Sequence, residues 1–219
     1  LGNFDTPEES NRLIVDHLSK LRFCCDLPSI ENLKREGIST GVINSGDVMF
    51  DAFLKYSGKK EVTVNKKKKN IYLTLHRPQN VDSLEAHYEI LRFLNDCDCE
   101  VFFPIHARTK LRIEEFGLTK KYESIENVTL LEPLGYIESI AYINACDFVI
   151  TDSGGIQKEA YFHETDCITL RDETEWPETV DAGWNKLWTS DTRKEKKVIE
   201  DFGTGNCCGL IINQILNEC

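Results

Sequence analysis

The chain has 219 residues, 41% of them apolar, enough for one large domain or for a domain plus part of another. Its formal charge of −11 argues against a nucleic-acid partner, since no basic face offsets the acidic excess. No apolar run approaches the roughly 20 residues that a bilayer-spanning helix needs, so no membrane partner is expected. No signal-peptide pattern opens the chain. The nine cysteines lack zinc-ligand spacing, and we read them as reduced thiols acting as small hydrophobes in a cytoplasmic protein without a metal. The chain starts at Leu1 and its one methionine is Met49, so we expect a processed product or a piece of a longer reading frame.

Thr6-Pro7-Glu8-Glu9 has the form of a capping box with proline at the first helical position. Leu13, Ile14, Leu18 and Leu21 then give a helix its apolar stripe. A short strand is expected at 23–25 and a helix at 29–36, stopped by Gly37. Val42-Ile43 approaches a polar turn at 44–47, and a helix follows at 48–56. Residues 58–70 are polar and lysine-rich, and they read as a solvated linker between residues 1–57 and a second domain at 71–219.

From there the pattern alternates. Strands are expected at 71–75, 101–104, 128–131, 148–151, 167–170 and 186–188, with helices at 84–94, 109–116, 137–144 and 156–163 between them. This rhythm implies an α/β fold with a doubly wound, Rossmann-like parallel sheet. A last helix carries Cys208, Ile211, Ile212, Ile215 and Leu216 on one face. Ligands of such sheets bind outside the carboxyl ends of the strands. Polar clusters fall at those ends: His76-Arg77, His106, Thr151 to Gly155, and Arg171 to Glu175.

The third cluster is the most telling. Residues 148–151 form a β-rich apolar run, Asp152 and Ser153 are N-cap residue types, and Gly154-Gly155 open a helical stretch. A strand, a tight turn and a helix start bring free N–H groups and a positive dipole end to one point, which suits a phosphate. Glu159 lies about one turn further in, where its carboxylate can accept hydrogen bonds from sugar hydroxyls. A purely structural strand-to-helix turn is the competing reading, and the neighbouring clusters at the same sheet edge favour a site.

Six segments occur in order: TPEESNR (6–12), LTLHRPQN (73–80), PIHARTKLR (104–112), LLEPLGY (130–136), TDSGGIQKEA (151–160) and LRDETEWPETVDAGWN (170–185). Together they resemble the UDP-N-acetylglucosamine 2-epimerases of the non-hydrolysing type. The resemblance implies a glycosyltransferase-B-like architecture, with the active site between two Rossmann-like domains and no cofactor. It implies interconversion of UDP-N-acetylglucosamine and UDP-N-acetylmannosamine for polysaccharide synthesis, through loss of the proton at carbon 2 and departure of UDP to a glycal, then reprotonation from the other face and re-addition of UDP. A poorly acidic carbon needs positioned acid–base groups, and a departing diphosphate needs fixed dipoles and cations.

Carried over by the resemblance, Ser153, Gly154 and Gly155 would hold the diphosphate and Glu159 the ribose. Glu8 and His76 would be catalytic. Arg77 and His106 would match positions that touch a second, activating UDP-sugar in some members, and Arg171 and Glu175 would lie in a loop closing over the nucleotide. The complete protein would be a homodimer. Gln79 stands where the family usually has Glu, and Trp176 where it usually has Arg, a cation that some other group must then replace. After Trp188 the chain reaches the Phe202–Gly205 segment sooner than the family does, so a helix is expected to be shortened or missing there.

The family's HGD and EAG segments, which supply further carbon-acid residues, are not in this sequence. We therefore expect the first domain to be largely missing, with weak UDP binding at best and no epimerisation by this chain alone. Alternative readings are a hydrolysing epimerase, an epimerase of a 2,3-diacetamido uronate sugar nucleotide, a non-catalytic UDP-binding remnant, or a glycosyltransferase of the same architecture.

Overall fold

The computed structural model describes residues 7–218, with side chains from Glu9 onward. The chain divides into two compact units: the residues up to Lys55 together with those from Ile199 on, and Tyr56–Val198. Among the described residues no helix is long and apolar enough to cross a membrane.

The first unit runs α1 (Pro7–Leu18), β1 (Arg22–Cys24), α2 (Leu27–Arg35), β2 (Val42–Asn44) and α3 (Val48–Tyr56). Strands β1 and β2 pair in parallel, with Phe23 opposite Ile43. The Thr6 cap expected for α1 lies outside the described residues. Within α1, Arg12 binds Glu9 at 2.9 Å, Asp16 at 2.8 Å and, from α2's end, Glu36 at 2.6 Å. Asp26 caps α2 by accepting the Ser29 N–H at 2.7 Å.

The last helix, Cys207–Glu218, belongs to this unit, whereas the sequence pattern assigns it to the domain at 71–219. The reason is a set of hydrogen bonds that no local pattern announces. Asp51 on α3 accepts the Cys207 and Cys208 N–H groups at 3.0 and 2.7 Å, capping that helix from a distance of more than 150 residues. The Asp47 N–H donates to the Phe202 carbonyl at 3.1 Å, and Phe202 is buried.

The second unit contains β3 (Lys69–Thr74), α4 (Pro78–Val81), α5 (Leu84–Asp96), β4 (Cys99–Pro104), α6 (Ala107–Glu115), α7 (Thr119–Glu123) and β5 (Val128–Leu131). It continues with α8 (Tyr136–Ala145), β6 (Phe148–Thr151), α9 (Gly154–Phe162), β7 (Asp166–Thr169), α10 (Pro177–Asp181) and β8 (Asn185–Leu187). The six expected strands are present within two residues of their expected bounds, while the short α4, α7 and α10 were not foreseen. The lysine run is not all linker: Lys69 opens β3 and Asn70 is fully buried.

All strand pairs are parallel, in the order β5-β4-β3-β6-β7-β8. From β3 the chain builds outward to β5, then returns to add β6, β7 and β8 on the other side. Its direction of winding reverses between β3 and β6, which is where doubly wound sheets open a ligand crevice. Alternation along β3 explains the two cores: Ile71, Leu73 and Leu75 join the cluster with Leu91, Leu94 and Phe103, while Tyr72 joins the one with Ile143, Val149 and Ala160.

A glycine is required after α10. Gly183 has φ +74°, and a Cβ there would lie 2.6 Å from the Glu195 carbonyl oxygen and closer still to that of Lys194. Gly183→Ala should therefore cost about 2–4 kcal/mol, read as a lower urea midpoint. An unchanged midpoint would contradict this packing.

Candidate active site at the sheet's switch point

Strands β3 and β6 end side by side, with Thr74 opposite Thr151 and their hydroxyls 2.6 Å apart. The next residue on the β6 side is Asp152, which is 0% exposed. Its carboxylate does not cap α9. It accepts the N–H groups of His76 (3.0 and 3.1 Å) and Arg77 (2.8 Å), the side-chain amide of Asn80 (2.9 Å), and stands 3.1 Å from His76 Nδ1. Burial alone would raise this acid's pKa, but the donors from His76, Asn80 and Arg77 outweigh burial and hold it below its ordinary value. One carboxylate thus fastens the turn after β3 to the turn after β6.

Helix α9 starts there. Ser153 is its N-cap by backbone geometry, with no side-chain cap bond, and its own N–H is taken by Thr151 Oγ1 at 3.0 Å. The N–H groups of the first turn have no acceptor within the helix by construction. At Gly154 a Cβ would sit 3.4 Å from Glu175 Oε2 and 3.5 Å from Trp176 Nε1, so the loop after β7 lies directly over the helix start.

Glu175 is held there by Arg171, whose Nη1 is 2.6 Å from both carboxylate oxygens, with Arg77 Nη2 at 3.6 Å. Burial works to raise its pKa, but Arg171 and Arg77 bring it below the usual carboxylate range. An ionised carboxylate beside two guanidinium groups and a helix N-terminus occupies the kind of place an anionic ligand takes. Arg77 Nε and Trp176 Nε1 are buried donors without a hydrogen-bond partner.

Trp176 is covered from below: Lys158, on α9 and 1% exposed, places its ammonium 3.3 Å from the centre of the Trp176 ring, a cation–π contact. Buried amides lock the same loop. Gln157 Oε1 accepts from the Thr174 hydroxyl (2.6 Å) and from Asn185 Nδ2 (3.1 Å), and Asn185 Oδ1 accepts from the Thr169 hydroxyl (3.0 Å).

The remaining expected residues fall into three groups. His106 caps α6, accepting the Arg108 N–H at Nδ1, and its ring lies 5.3 Å from that of His76. Glu159 is 9% exposed, meets no hydrogen-bond partner among the described residues, and is pushed by burial up to about 7. Glu8 lies in α1 of the other unit, and its side chain is outside the described residues. The structure therefore brings together Ser153, Gly154, Gly155, Arg77, Arg171 and Glu175, sets His76 beside His106, and leaves Glu159 buried further along α9.

A cavity of about 160 Å³ lies elsewhere, beside β5, lined by Ile105, Ile113, Tyr122 and Leu130 among others. Its charged residues, Lys110, Glu114, Glu123 and Glu132, are net acidic and unsuited to an anion. The sheet edge, with its convergent donors, is the stronger site.

The family model described as UDP-N-acetylglucosamine 2-epimerase matches residues 2–204. The chain belongs to this epimerase family. It is 40% identical over 213 residues to a UDP-N-acetylglucosamine 2-epimerase homolog of Methanococcus maripaludis, covering 92% of this chain and 59% of the relative. It is 38% identical over 193 residues to the UDP-2,3-diacetamido-2,3-dideoxy-D-glucuronate 2-epimerase of Pseudomonas aeruginosa, covering 84% and 53% respectively. Among solved structures it is similar to the UDP-GlcNAc 2-epimerase of Methanocaldococcus jannaschii in complex with UDP-GlcNAc and UDP. There the TM-score is 0.80 and the identity 32%, over 99% of this chain and 66% of that one. The chain thus spans between 53% and 66% of the length of these epimerase-family relatives.

The sequence pattern does not single out Lys158, Gln157 or Asn185, and it offers Asp152 as an N-cap residue within the Thr151–Gly155 cluster, whereas the partners of Asp152 lie more than 70 residues away. A lysine and a glutamine flanking a helix's apolar positions look solvent-facing, yet both are buried.

The state of Glu159 yields a direct test. Because its folded-state pKa lies above the unfolded one, its protonated form favours the native state below the ordinary carboxylate range, and that contribution is lost as pH rises through about 7. Glu159→Gln should gain stability over the parent chain by roughly 2–3 kcal/mol at pH 8 and by under about 1 kcal/mol at pH 5. Denaturant unfolding at both pH values measures this, and a pH-independent difference would contradict it.

Proposed function

We propose that this chain carries the UDP-binding and leaving-group chemistry of a UDP-N-acetylglucosamine 2-epimerase. The observation that carries the reading is the convergence at the switch point: the first turn of α9, Arg77 and Arg171 all surround one anion-sized position, now filled by Glu175. Membership of the epimerase family supports UDP as the anion. The solved relative from Methanocaldococcus jannaschii, in complex with UDP-GlcNAc and UDP, supports the same ligand class.

In this reading a diphosphate displaces Glu175 and takes over its guanidinium partners and the Gly154 and Gly155 N–H groups. These donors stabilise the charge that builds on UDP as its bond to the sugar breaks. His76, beside them, exchanges a proton with the substrate, and Glu159 accepts from the ribose hydroxyls. Glu8 completes the assignment as an acid–base residue, and His106 lies where a second nucleotide sugar would touch. Removal of the carbon-2 proton and loss of UDP give a glycal, and return of a proton to the opposite face of carbon 2 with re-addition of UDP at carbon 1 then interconverts the two epimers. The enzyme would act as a homodimer in the cytoplasm.

Calorimetry with UDP tests the proposal on this chain. Gly154→Val should weaken binding at least about tenfold, equivalent to about 1.4 kcal/mol, by forcing a branched side chain into the anion position. Glu175→Gln should instead tighten it roughly threefold to tenfold, because it removes a competing charge. No UDP binding by the parent chain, or equal affinity in Gly154→Val, would overturn the reading. With the complete protein, NMR of product mixtures from UDP-GlcNAc and from its diacetamido-uronate counterpart separates the two named substrates, and release of free sugar would indicate hydrolysis.

A further inference from the structure

Asp152 makes more contacts than a clamp needs. Three of its partners, the N–H groups of His76 and Arg77 and the amide of Asn80, fix the backbone of one turn to another. Its fourth partner is the imidazole of His76, at 3.1 Å from Nδ1. This carboxylate is fully buried and surrounded by donors, so it acts as an acceptor only. A carboxylate oxygen this close favours a proton on Nδ1 when the ring is neutral. The other nitrogen, Nε2, has no hydrogen-bond partner among the described residues, while the side chain is 32% exposed. The charged and titratable groups around the ring are Asp152 itself, His106 at 5.3 Å between ring centres, and the adjoining Arg77 with its partner Glu175.

We propose that Asp152 is the positioning residue for His76: it sets the ring's orientation and its Nδ1–H tautomer, so that Nε2 is the nitrogen offered to the substrate. This rests on reading His76 as part of the UDP-sugar site. With the tautomer fixed, Nε2 accepts a proton when the ring is neutral and donates one when the ring is charged. The nearby carboxylate balances the charge of the imidazolium. A ring free to hold either tautomer would present the wrong nitrogen part of the time. Asp152 does not touch the substrate, and its effect passes entirely through His76.

Long-range nitrogen–proton NMR correlations on the 15N-labelled chain read the tautomer directly, without ligand. The parent chain should show His76 as the Nδ1–H form. In Asp152→Asn the amide oxygen can keep the backbone N–H groups while its NH2 faces Nδ1, so the ring should switch to Nε2–H. Asn80→Ala removes another donor from the same carboxylate and should leave the tautomer as it is, which a merely structural role would not predict. An Nε2–H ring in the parent chain, or an unswitched ring in a folded Asp152→Asn, overturns the proposal. If Asp152→Asn loses its native amide spectrum, the parent and Asn80→Ala tautomers decide: Nδ1–H in both supports the proposal and Nε2–H in either overturns it. Adding UDP separates the two readings. An Nδ1–H ring whose resonances ignore UDP keeps the Asp152 assignment and removes the UDP-site reading.

Discussion

A buried carboxylate that accepts from three donors and stands beside an imidazole is the constraint on which the site depends. Placing an ion such as Asp152 out of water costs several kcal/mol unless every lone pair is met. Here the donors come from the turn after β3, while the acid comes from the turn after β6. That exchange is possible only because β3 and β6 are neighbours, which the reversal of winding ensures. If either turn moved, a charge would be left buried and unpaired. The fold therefore fixes the geometry of His76, Arg77 and the α9 start together, and not one by one.

On that frame the electrostatics are arranged for an anion. Arg77, Arg171 and the α9 N-terminus converge on one place, and Glu175 balances them. A site that fills itself with one of its own carboxylates avoids the repulsion of bare cations. The buried amides Gln157 and Asn185 hold the base of the loop after β7 independently of Glu175.

The sheet was legible because parallel strands buried on both faces read as short apolar runs at regular spacing, as residues 71–75 and 148–151 do. The polar clusters at the strand ends were legible for the same reason, since their place follows from where each strand stops. Long-range pairing was not. Asp51 reaches the last helix and Asp152 reaches His76 across gaps that no local pattern records. Lys158 and Gln157 were hidden because a helix's charged and amide positions are ordinarily solvated, and here a tryptophan and a loop cover them. Short helices such as α4 and α10 carry too few residues to show a period.

The central claim is that one anion position at the switch point binds the diphosphate of UDP. Amide chemical-shift mapping during a UDP titration of the 15N-labelled chain tests it most directly. The account predicts that the largest shifts fall on Gly154, Gly155, His76 and Arg77, and that UMP, with one phosphate fewer, moves them less. Shifts centred instead on Ile113, Tyr122 and Leu130 beside β5, or none anywhere, would contradict it.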